Sequence, residues 1–288
     1  MRATLSSLPR LTAAAAAATA AGDTAQQGIG GSMASDLFSL AGRTALVTGG
    51  SRGIGKMIAA GFIEQGAKVY ISSRKAEQCD AAAVELCKNG TCISLPQDIS
   101  TVEGCKSLAA RLGEAEAKLD ILVNNAGAAW GADFDEFPES GWDKVLNLNL
   151  KSPFFLTQAL HARLAAAGSA DQPAKVIMIA SIDGIRLNPQ ETYSYHASKA
   201  GLIYLTRRMA ARLIRDWIVV SGIAPGAFAS DMNRDARDRG DEVARRIPMR
   251  RIGRPADMAA AAIYLASRAG DYVVGETIAV DGGVALAM

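Results

Sequence analysis

The chain has 288 residues, of which 49% are hydrophobic, so it is long enough and apolar enough to bury one sizeable core. Its formal net charge of +2 is close to neutral, which gives no reason to expect a nucleic-acid partner or a membrane surface. The four cysteines form no CxxC pair and the chain has only two histidines, so we predict no metal site. Such cysteines are typical of reduced thiols, which favours a cytoplasmic protein.

Residues 1–35 differ in composition from the rest of the chain. They are rich in Ala, Ser and Thr, carry Arg2 and Arg10, and have no acidic residue before Asp23. This composition fits a mitochondrial or plastid transit peptide, a secretory signal, or a disordered extension ahead of a working start at Met33. We therefore treat 1–35 as an N-terminal extension. The sequence contains no run of about 18 consecutive apolar residues, so it predicts no transmembrane helix.

From residue 43 onward, short apolar runs alternate with amphipathic stretches of helical length. The first run, TALVT (44–48), precedes helical spacing in IGKMIAAGFIEQG (54–66). Six more candidate strands lie at 67–73, 91–98, 118–127, 174–181, 217–226 and 276–283. Near-continuous apolar strands that alternate with helices predict a parallel sheet covered on both faces, in one domain over 36–288.

The first predicted strand leads directly into a glycine-rich loop, TGGSRGIG (48–55). Gly49, Gly53 and Gly55 lie just before the first predicted helix. Glycines there permit a tight turn and let backbone N–H groups at the helix start approach a pyrophosphate. In this strand–loop–helix context, the motif indicates a dinucleotide-binding site.

Five motifs in this order resemble the short-chain dehydrogenase/reductase family over roughly residues 40–288. TGGSRGIG has the TGxxxGxG spacing of that family, and NNAG (124–127), YxxxK (195–199), PG (225–226) and VDGG (280–283) follow. The segments SLAGRTALVTGGSRGIG, LDILVNNAGAAWGA and IPMRRIGRPADMA are most similar to its bacterial NADPH-dependent 3-oxoacyl reductases. This resemblance implies a Rossmann fold with a doubly wound, seven-stranded parallel sheet, a mobile lid at about 227–254, and a homotetramer.

The end of the second predicted strand, VYISSR, indicates the cofactor. Ser73 stands where an NAD enzyme usually carries an acid, Arg74 follows it, and Arg52 lies within the glycine loop. Arginines bind phosphate through paired donors, so we predict NADPH; the alternative is that both are solvated surface charges. The resemblance implies further cofactor contacts at Ser51, Ile54, Asp98, Asn125, Ala126, Gly127, Pro225, Gly226, Phe228 and Ser230, and a structural role for Asn124.

The segment YSYHASK (193–199) contains the candidate proton donor. Residues four apart share one face of a helix, so Tyr195 and Lys199 point the same way, and an ammonium there favours the phenolate form of the tyrosine. Tyr193 has Ala197 at that offset, and His196 faces elsewhere. We therefore predict Tyr195 and Lys199 as the reacting pair.

The resemblance implies two further catalytic residues, Ser181 and Asn149. Ser181 ends the strand VIMIAS, 14 residues before Tyr195, one more than is usual in the family, and we expect the intervening loop to absorb the difference. Asn149 in NLKS fits the family pattern better than Asn147. With Ser181 supplying the second hydroxyl, Ser198 has no predicted role.

These residues predict reduction of a carbonyl to a secondary alcohol by NADPH, with Tyr195 as general acid. The predicted substrate is a 3-oxoacyl thioester; the alternatives are a free ketone, sugar or steroid, or a noncatalytic dinucleotide-binding protein. The segment 229–254 contains eight arginines. One interpretation is that Arg245, Arg246, Arg250 or Arg251, together with Arg207 and Arg208, attracts an acyl carrier protein or coenzyme A phosphates; the other is that the arginines belong to a solvated lid. Trp130, Leu187 and Met232 form an apolar wall for an acyl chain or belong to the core.

Overall fold

The computed structural model describes residues 33–287. Of the predicted N-terminal extension, 1–32 lie outside the described residues, and the last three begin a short helix, α1 (Met33–Phe38). The division of the chain at residue 35 therefore stays a prediction.

Seven strands form one parallel sheet in the order β3-β2-β1-β4-β5-β6-β7. This order confirms the predicted doubly wound sheet. The strands are β1 (Thr44–Thr48), β2 (Lys68–Ser72), β3 (Cys92–Ser94), β4 (Ile121–Asn124), β5 (Ala174–Ile179), β6 (Ile218–Pro225) and β7 (Thr277–Val280).

In residues 33–287, nine further α-helices connect or follow the strands. They are α2 (Gly53–Glu64), α3 (Ala76–Leu86), α4 (Val102–Ala115), α5 (Glu139–Leu146), α6 (Ser152–Ala167), α7 (Tyr193–Leu213), α8 (Arg234–Asp238), α9 (Gly240–Ala244) and α10 (Pro255–Ala266). The two short helices α8 and α9 lie within the predicted lid.

Helices cover both faces of the sheet because successive residues of each buried strand point to opposite sides. In β1, Ala45 and Val47 pack with α2, α3 and α10, whereas Leu46 packs with α4, α6 and α7. The two resulting apolar layers exclude water from both faces of the central strands. The helices do not cover the carboxyl ends of the strands, so that edge of the sheet is accessible to a ligand.

The strand order reverses between β1 and β4, since β2 and β3 lie on one side of β1 and the remaining strands on the other. In open α/β sheets, the crevice outside the carboxyl ends at such a reversal is where ligands bind. The glycine loop after β1 and the NNAG segment after β4 therefore face each other at this point.

The described part of the chain holds four free cysteines, and its cysteines, histidines and acids do not assemble a cluster suited to a metal ion. Within the same residues, every helix is too short or too polar to cross a bilayer.

The amino edge of the sheet, opposite the crevice, holds a buried charge network. Lys175 in β5 is 1% exposed and its Nζ lies 2.7 Å from a carboxylate oxygen of Asp271. Arg43, before β1, donates to the Pro173 carbonyl at 2.9 Å and lies 3.8 Å from Asp120. Burial lowers the pKa of Lys175, and Asp271 acts in the opposite direction. The charged form of Lys175 is therefore stabilised by the Asp271 carboxylate.

We predict that Asp271→Asn destabilises the fold by about 2–4 kcal/mol, because it leaves a buried ammonium without its counter-charge. Lys175→Met removes the buried charge itself and should cost less. The free energies of unfolding, measured by urea denaturation, test this, with Asp171→Asn at an exposed loop position as the control. Equal losses in Asp271→Asn and Asp171→Asn would contradict the prediction.

Candidate active site

The glycine loop is tied to the end of β4 by Thr48 and Asn125. The Thr48 hydroxyl accepts hydrogen bonds from the backbone N–H groups of Asn125 and Ala126 at 2.9 and 3.0 Å, and the Asn125 amide donates to the Thr48 carbonyl at 2.8 Å. Gly49 has φ of +66°, and a Cβ there would lie 2.8 Å from the Asn125 amide nitrogen. The loop thus presents backbone rather than side chain at the start of α2, which fits a pyrophosphate.

The predicted phosphate-binding residues lie on adjoining segments. The backbone N–H of Gly50 donates to the Ser72 carbonyl at 3.2 Å, which places the loop carrying Arg52 beside Ser73 and Arg74. Arg74 is exposed, and no acid stands at position 73. Two guanidinium groups without a carboxylate at the strand end fit a phosphate monoester. Ser51, Gly53, Ile54 and Gly55 complete the loop.

The predicted contacts after β3 and β4 follow their strands closely. β3 ends at Ser94, earlier than predicted, and Asp98 lies exposed beyond it, its carboxylate accepting from the backbone of Ser100 at 2.9 Å. Asn125, Ala126 and Gly127 continue from β4 into the crevice. The buried Asn124 amide donates to Thr157 and lies 3.4 Å from the Met178 sulfur, so it holds β4 to its neighbours as the resemblance implied.

The predicted contacts after β6 divide between exposed and buried positions. Pro225 ends β6, Gly226 follows it, and Ser230 lies against the glycine loop, 3.3 Å from where a Cβ on Gly53 would stand. The Phe228 side chain is buried in the core, where it packs on Gly253. Only the backbone of Phe228 is therefore available to a bound ligand.

Tyr195 and Lys199 lie on the first turns of α7, facing the end of β5. Lys199 is buried, and its Nζ donates to the Ile179 carbonyl at 2.7 Å and lies 5.6 Å from the centre of the Tyr195 ring. The helical spacing thus places both side chains on one face, as predicted from the sequence.

The electrostatics of this pair differ from the expected lowering of the tyrosine pKa. Burial raises the pKa of Tyr195 to about 12, while a hydrogen bond with Ser181 acts in the opposite direction. Burial also lowers the pKa of Lys199 to about 8, and Asp183 acts against that shift. Desolvation outweighs the Ser181 hydrogen bond, so the environment of Tyr195 favours the protonated phenol.

Ser181 lies directly beyond β5, at the start of a 3-10 turn. Its hydroxyl accepts from the backbone N–H of Asp183 at 3.1 Å and neighbours the Tyr195 hydroxyl closely enough to influence its pKa. The strand end fixes Ser181 and the helix start fixes Tyr195, and that the loop between them absorbs the extra residue stays a prediction.

Asn149 lies in a π-helical turn, Asn147–Lys151, between α5 and α6. Its side chain accepts from the Ala128 N–H at 2.8 Å and donates to the Ala128 carbonyl at 2.9 Å and the Ser198 hydroxyl at 3.0 Å. Single π turns of this kind occur mostly at functional sites. In the described residues, Asn147 makes no side-chain hydrogen bond, which separates the two candidate asparagines.

Ser198 was overlooked in the sequence because Ser181 already supplied a hydroxyl. In the structure, Ser198 is fully buried, and its hydroxyl donates to the Tyr195 carbonyl at 2.8 Å while accepting from Asn149. It connects Asn149 to the helix turn that bears Tyr195. Its place directly before Lys199 was the only sequence signal for this role.

The other polar residues of YSYHASK lie outside the group. Tyr193 packs edge to face against Phe134 and Phe137, with ring centres 5.5 and 5.7 Å apart. His196 Nδ1 lies 3.0 Å from the Thr192 carbonyl, one turn earlier in the chain. Both residues are therefore occupied by local packing, as predicted.

The predicted apolar wall is only partly assembled. Trp130 is held against α5, where its ring meets Gly141 and the Lys144 Nζ lies 5.0 Å from the ring centre. Leu187 is 83% exposed, and Met232 is also exposed. These three residues are not part of the core, and the latter two are free to contact a ligand or a partner.

Six of the eight lid arginines fall into two groups. Arg237, Arg239 and Arg251 pair with aspartates at 2.6–2.7 Å. In the described chain, Arg245, Arg246 and Arg250 are exposed and lack a carboxylate partner.

Arg207 does not join the lid arginines. Its Cα lies 3.8 Å from where a Cβ on Gly275 would stand, at the amino end of β7. Arg208 is next to it in α7, so this pair lies away from the crevice.

We predict that Asn149→Ala lowers the free energy of unfolding by about 2–4 kcal/mol, since it leaves the Ala128 backbone groups unpaired. Asn147→Ala should change it by less than about 0.5 kcal/mol. Urea denaturation of both variants measures the difference, and comparable losses at the two positions would refute the assignment of Asn149.

Comparison with known proteins places the chain in a family. Residues 49–285 match the model of a family described as enoyl-(acyl carrier protein) reductase. The rhamnolipids biosynthesis 3-oxoacyl-[acyl-carrier-protein] reductase of Pseudomonas aeruginosa is 49% identical over 249 residues, 85% of this chain and 97% of that protein. The 2-dehydro-3-deoxy-D-gluconate 5-dehydrogenase of Dickeya dadantii is 38% identical over 253 residues, 85% of this chain and 96% of that one.

A solved structure supports the same placement. The Pseudomonas aeruginosa RhlG/NADP active-site complex is 48% identical and superimposes with a TM-score of 0.85, covering 87% of this chain and 99% of that one. The motif order, the parallel sheet and these relatives agree: the chain belongs to the short-chain dehydrogenase/reductase family and is an oxidoreductase of that family.

Proposed function

We propose that the protein reduces a 3-oxoacyl thioester to the 3-hydroxyacyl thioester with NADPH. The observation that carries this proposal is that the side chains of Ser181, Tyr195 and Lys199 lie close together beside the glycine loop. Asn149 is linked to the same turn of α7 through Ser198. The 49% identity to a 3-oxoacyl reductase supports the choice of substrate. We assign the reductase domain to 36–288, with the lid at 227–254.

The cofactor is NADP. The backbone at Gly53–Gly55 would hold the pyrophosphate at the start of α2, and Arg52 and Arg74 would hold the 2′-phosphate. The absence of an acid at Ser73 removes the group that would repel this phosphate. When bound, NADPH supplies the hydride for the reduction.

Tyr195 supplies the proton. With its pKa raised to about 12, the phenol is protonated at neutral pH and donates its hydrogen to the substrate oxygen as negative charge develops there. The Ser181 hydroxyl donates a second hydrogen bond to the same oxygen. The reverse oxidation needs the phenolate, so this environment favours reduction.

Lys199 and Asn149 hold the donor in place. The Lys199 ammonium lies beside the Tyr195 ring and would hold the cofactor ribose, while the Asn149–Ser198 hydrogen bond fixes the turn of α7 that carries Tyr195. Asn149 also holds the Ala128 backbone next to the NNAG segment. Both residues thus limit the movement of the reacting groups.

The unpaired lid arginines support a substrate attached to an acidic carrier. Arg245, Arg246 and Arg250 provide an exposed positive surface next to the C-terminal segment, since Met249 of the same stretch donates to the Gly282 carbonyl at 3.1 Å. Such a surface speeds the encounter with an acyl carrier protein or with coenzyme A phosphates.

We further propose a homotetramer in a reducing, cytoplasmic compartment. The outer face of the long helix α7 carries Tyr204, which is 72% exposed, and an aromatic side chain of that size is typical of an interface. The four cysteines of the chain are free thiols, which suits such a compartment.

A sugar-acid dehydrogenase is the second candidate function. It is supported by the 38% identity to the 2-dehydro-3-deoxy-D-gluconate 5-dehydrogenase and by 34% identity to the 5-keto-D-gluconate 5-reductase of Escherichia coli, and the exposed arginines also suit a small carboxylate. The two candidates share every proposed catalytic residue and differ in what the lid recognises.

A substrate panel with matched charge variants separates them. We expect kcat/KM with NADPH to be at least about 100-fold higher for acetoacetyl-acyl carrier protein than for 5-ketogluconate. Arg245→Glu with Arg246→Glu should lower kcat/KM about tenfold for the carrier-linked substrate, because charge complementarity governs the encounter. The same pair should leave the uncharged acetoacetyl-N-acetylcysteamine unaffected.

The control is the double charge reversal Lys88→Glu and Lys118→Glu, at exposed positions that precede the amino ends of β3 and β4. It changes the net charge equally but lies away from the crevice and from the outer face of α7, so it should not alter kcat/KM for any of the three substrates. A preference for 5-ketogluconate over both thioesters would overturn the proposed substrate. Equal effects of the two double variants would overturn carrier docking at the lid.

A further inference from the structure

An ion-pair chain joins the glycine loop to the lid. The Arg52 guanidinium lies 2.5 Å from one carboxylate oxygen of Asp231, and the other oxygen of Asp231 lies 2.7 Å from Arg237. Arg237 also pairs with Asp238 at 2.7 Å. Asp231 therefore bridges two arginines, one in the glycine loop and one in α8.

The bridge lies where the lid begins to cover the loop. Ser230, next to Asp231, packs against Gly53, next to Arg52. The Ser230 hydroxyl accepts from the Asn233 backbone at 3.1 Å, and the Asn233 side chain accepts from Ala236 at 3.1 Å, so the bridge leads directly into α8. A change in the partner of Arg52 therefore acts on the first ordered turn of the lid.

The Asp231 carboxylate resembles a phosphate monoester in the chemistry it offers to Arg52. The carboxylate is planar and the phosphate monoester is tetrahedral, but each presents two or more anionic oxygens that accept from the same guanidinium donors. In the described structure, Arg52 makes its ion pair with Asp231 alone. A 2′-phosphate that approaches Arg52 must then either displace this carboxylate or remain close to a like charge.

We propose that Asp231 competes with the 2′-phosphate of the cofactor for Arg52 and is a specificity-determining residue of this protein. The proposal rests on the assignment of NADP in the proposed function. Asp231 lowers the affinity for the 2′-phosphorylated dinucleotide, and phosphate binding releases Asp231 from the glycine loop. The contact between the start of the lid and the glycine loop therefore depends on whether the bound cofactor carries a 2′-phosphate, and not on the nicotinamide alone.

The size of the effect follows from exposure. Arg52 and Asp231 are 65% and 48% exposed, so their pair contributes the modest free energy typical of surface ion pairs. Loss of such a competitor changes a dissociation constant about two- to fivefold. A change of this size in the dissociation constant is measurable, and it is small enough for the phosphate to displace Asp231 from Arg52.

Binding of two adenosine fragments isolates this interaction from catalysis. The dissociation constants of 2′,5′-ADP and of AMP, measured by calorimetry at low salt, differ only through the 2′-phosphate. We expect Asp231→Asn to bind 2′,5′-ADP about two- to fivefold more tightly and AMP unchanged. In an Arg52→Ala background, Asp231→Asn should have no further effect on either fragment.

The matched control is Asp235→Asn, which removes an equal charge from the same lid. Asp235 pairs with Arg239 at 2.6 Å and is 53% exposed, so it resembles Asp231 in all but its contact with Arg52. Weaker or unchanged binding of 2′,5′-ADP in Asp231→Asn, or an equal gain in Asp235→Asn, would overturn the proposal. Failure of the parent protein to prefer 2′,5′-ADP over AMP would instead count against the NADP assignment, which distinguishes the two failures.

Discussion

The contact between α7 and the end of β5 is the constraint on which the site depends. Lys199 is buried there with its Nζ on the Ile179 carbonyl, and the turn after Ser181 packs so closely that a Cβ on Gly184 would lie 2.6 Å from the Lys199 carbonyl carbon. A helix held this tightly cannot slide along the strand. The positions of Tyr195 and Ser181 relative to each other therefore follow from packing, whatever the length of the loop between them.

The same burial determines the chemistry that the pair favours. Removing Tyr195 from water raises its pKa to about 12, and removing Lys199 lowers its pKa to about 8, so each residue is shifted toward its neutral form. A protonated phenol suits the delivery of a proton to a carbonyl oxygen. The hydrogen bond between Asn149, in the π turn, and Ser198 also holds the turn of α7 that bears Tyr195. The proton donor Tyr195 is therefore held both by the end of β5 and by the π turn.

Much of the fold and of the central site follows from local patterns in the sequence. TALVT is β1 in full, and the i, i+4 spacing of Tyr195 and Lys199 survives because a helix preserves it. The long-range contacts do not follow in this way. The Arg52–Asp231 pair joins residues 179 apart, and Ser198 gains its partner from a π turn in a different helix. The raised pKa of Tyr195 depends on burial, which no local spacing reveals.

The most direct measurement of the central claim is the single-turnover oxidation of NADPH by Tyr195→Phe in the presence of an acetoacetyl thioester, with Tyr193→Phe as the matched control. Removing one hydroxyl at residue 195 should slow the turnover by at least about 100-fold, whereas the same change at residue 193 should leave the rate nearly unchanged. The dissociation constant of NADPH should be the same in both variants, because the phosphate contacts lie elsewhere. A Tyr195→Phe variant that keeps the parent rate would contradict the assignment of Tyr195 as the proton donor.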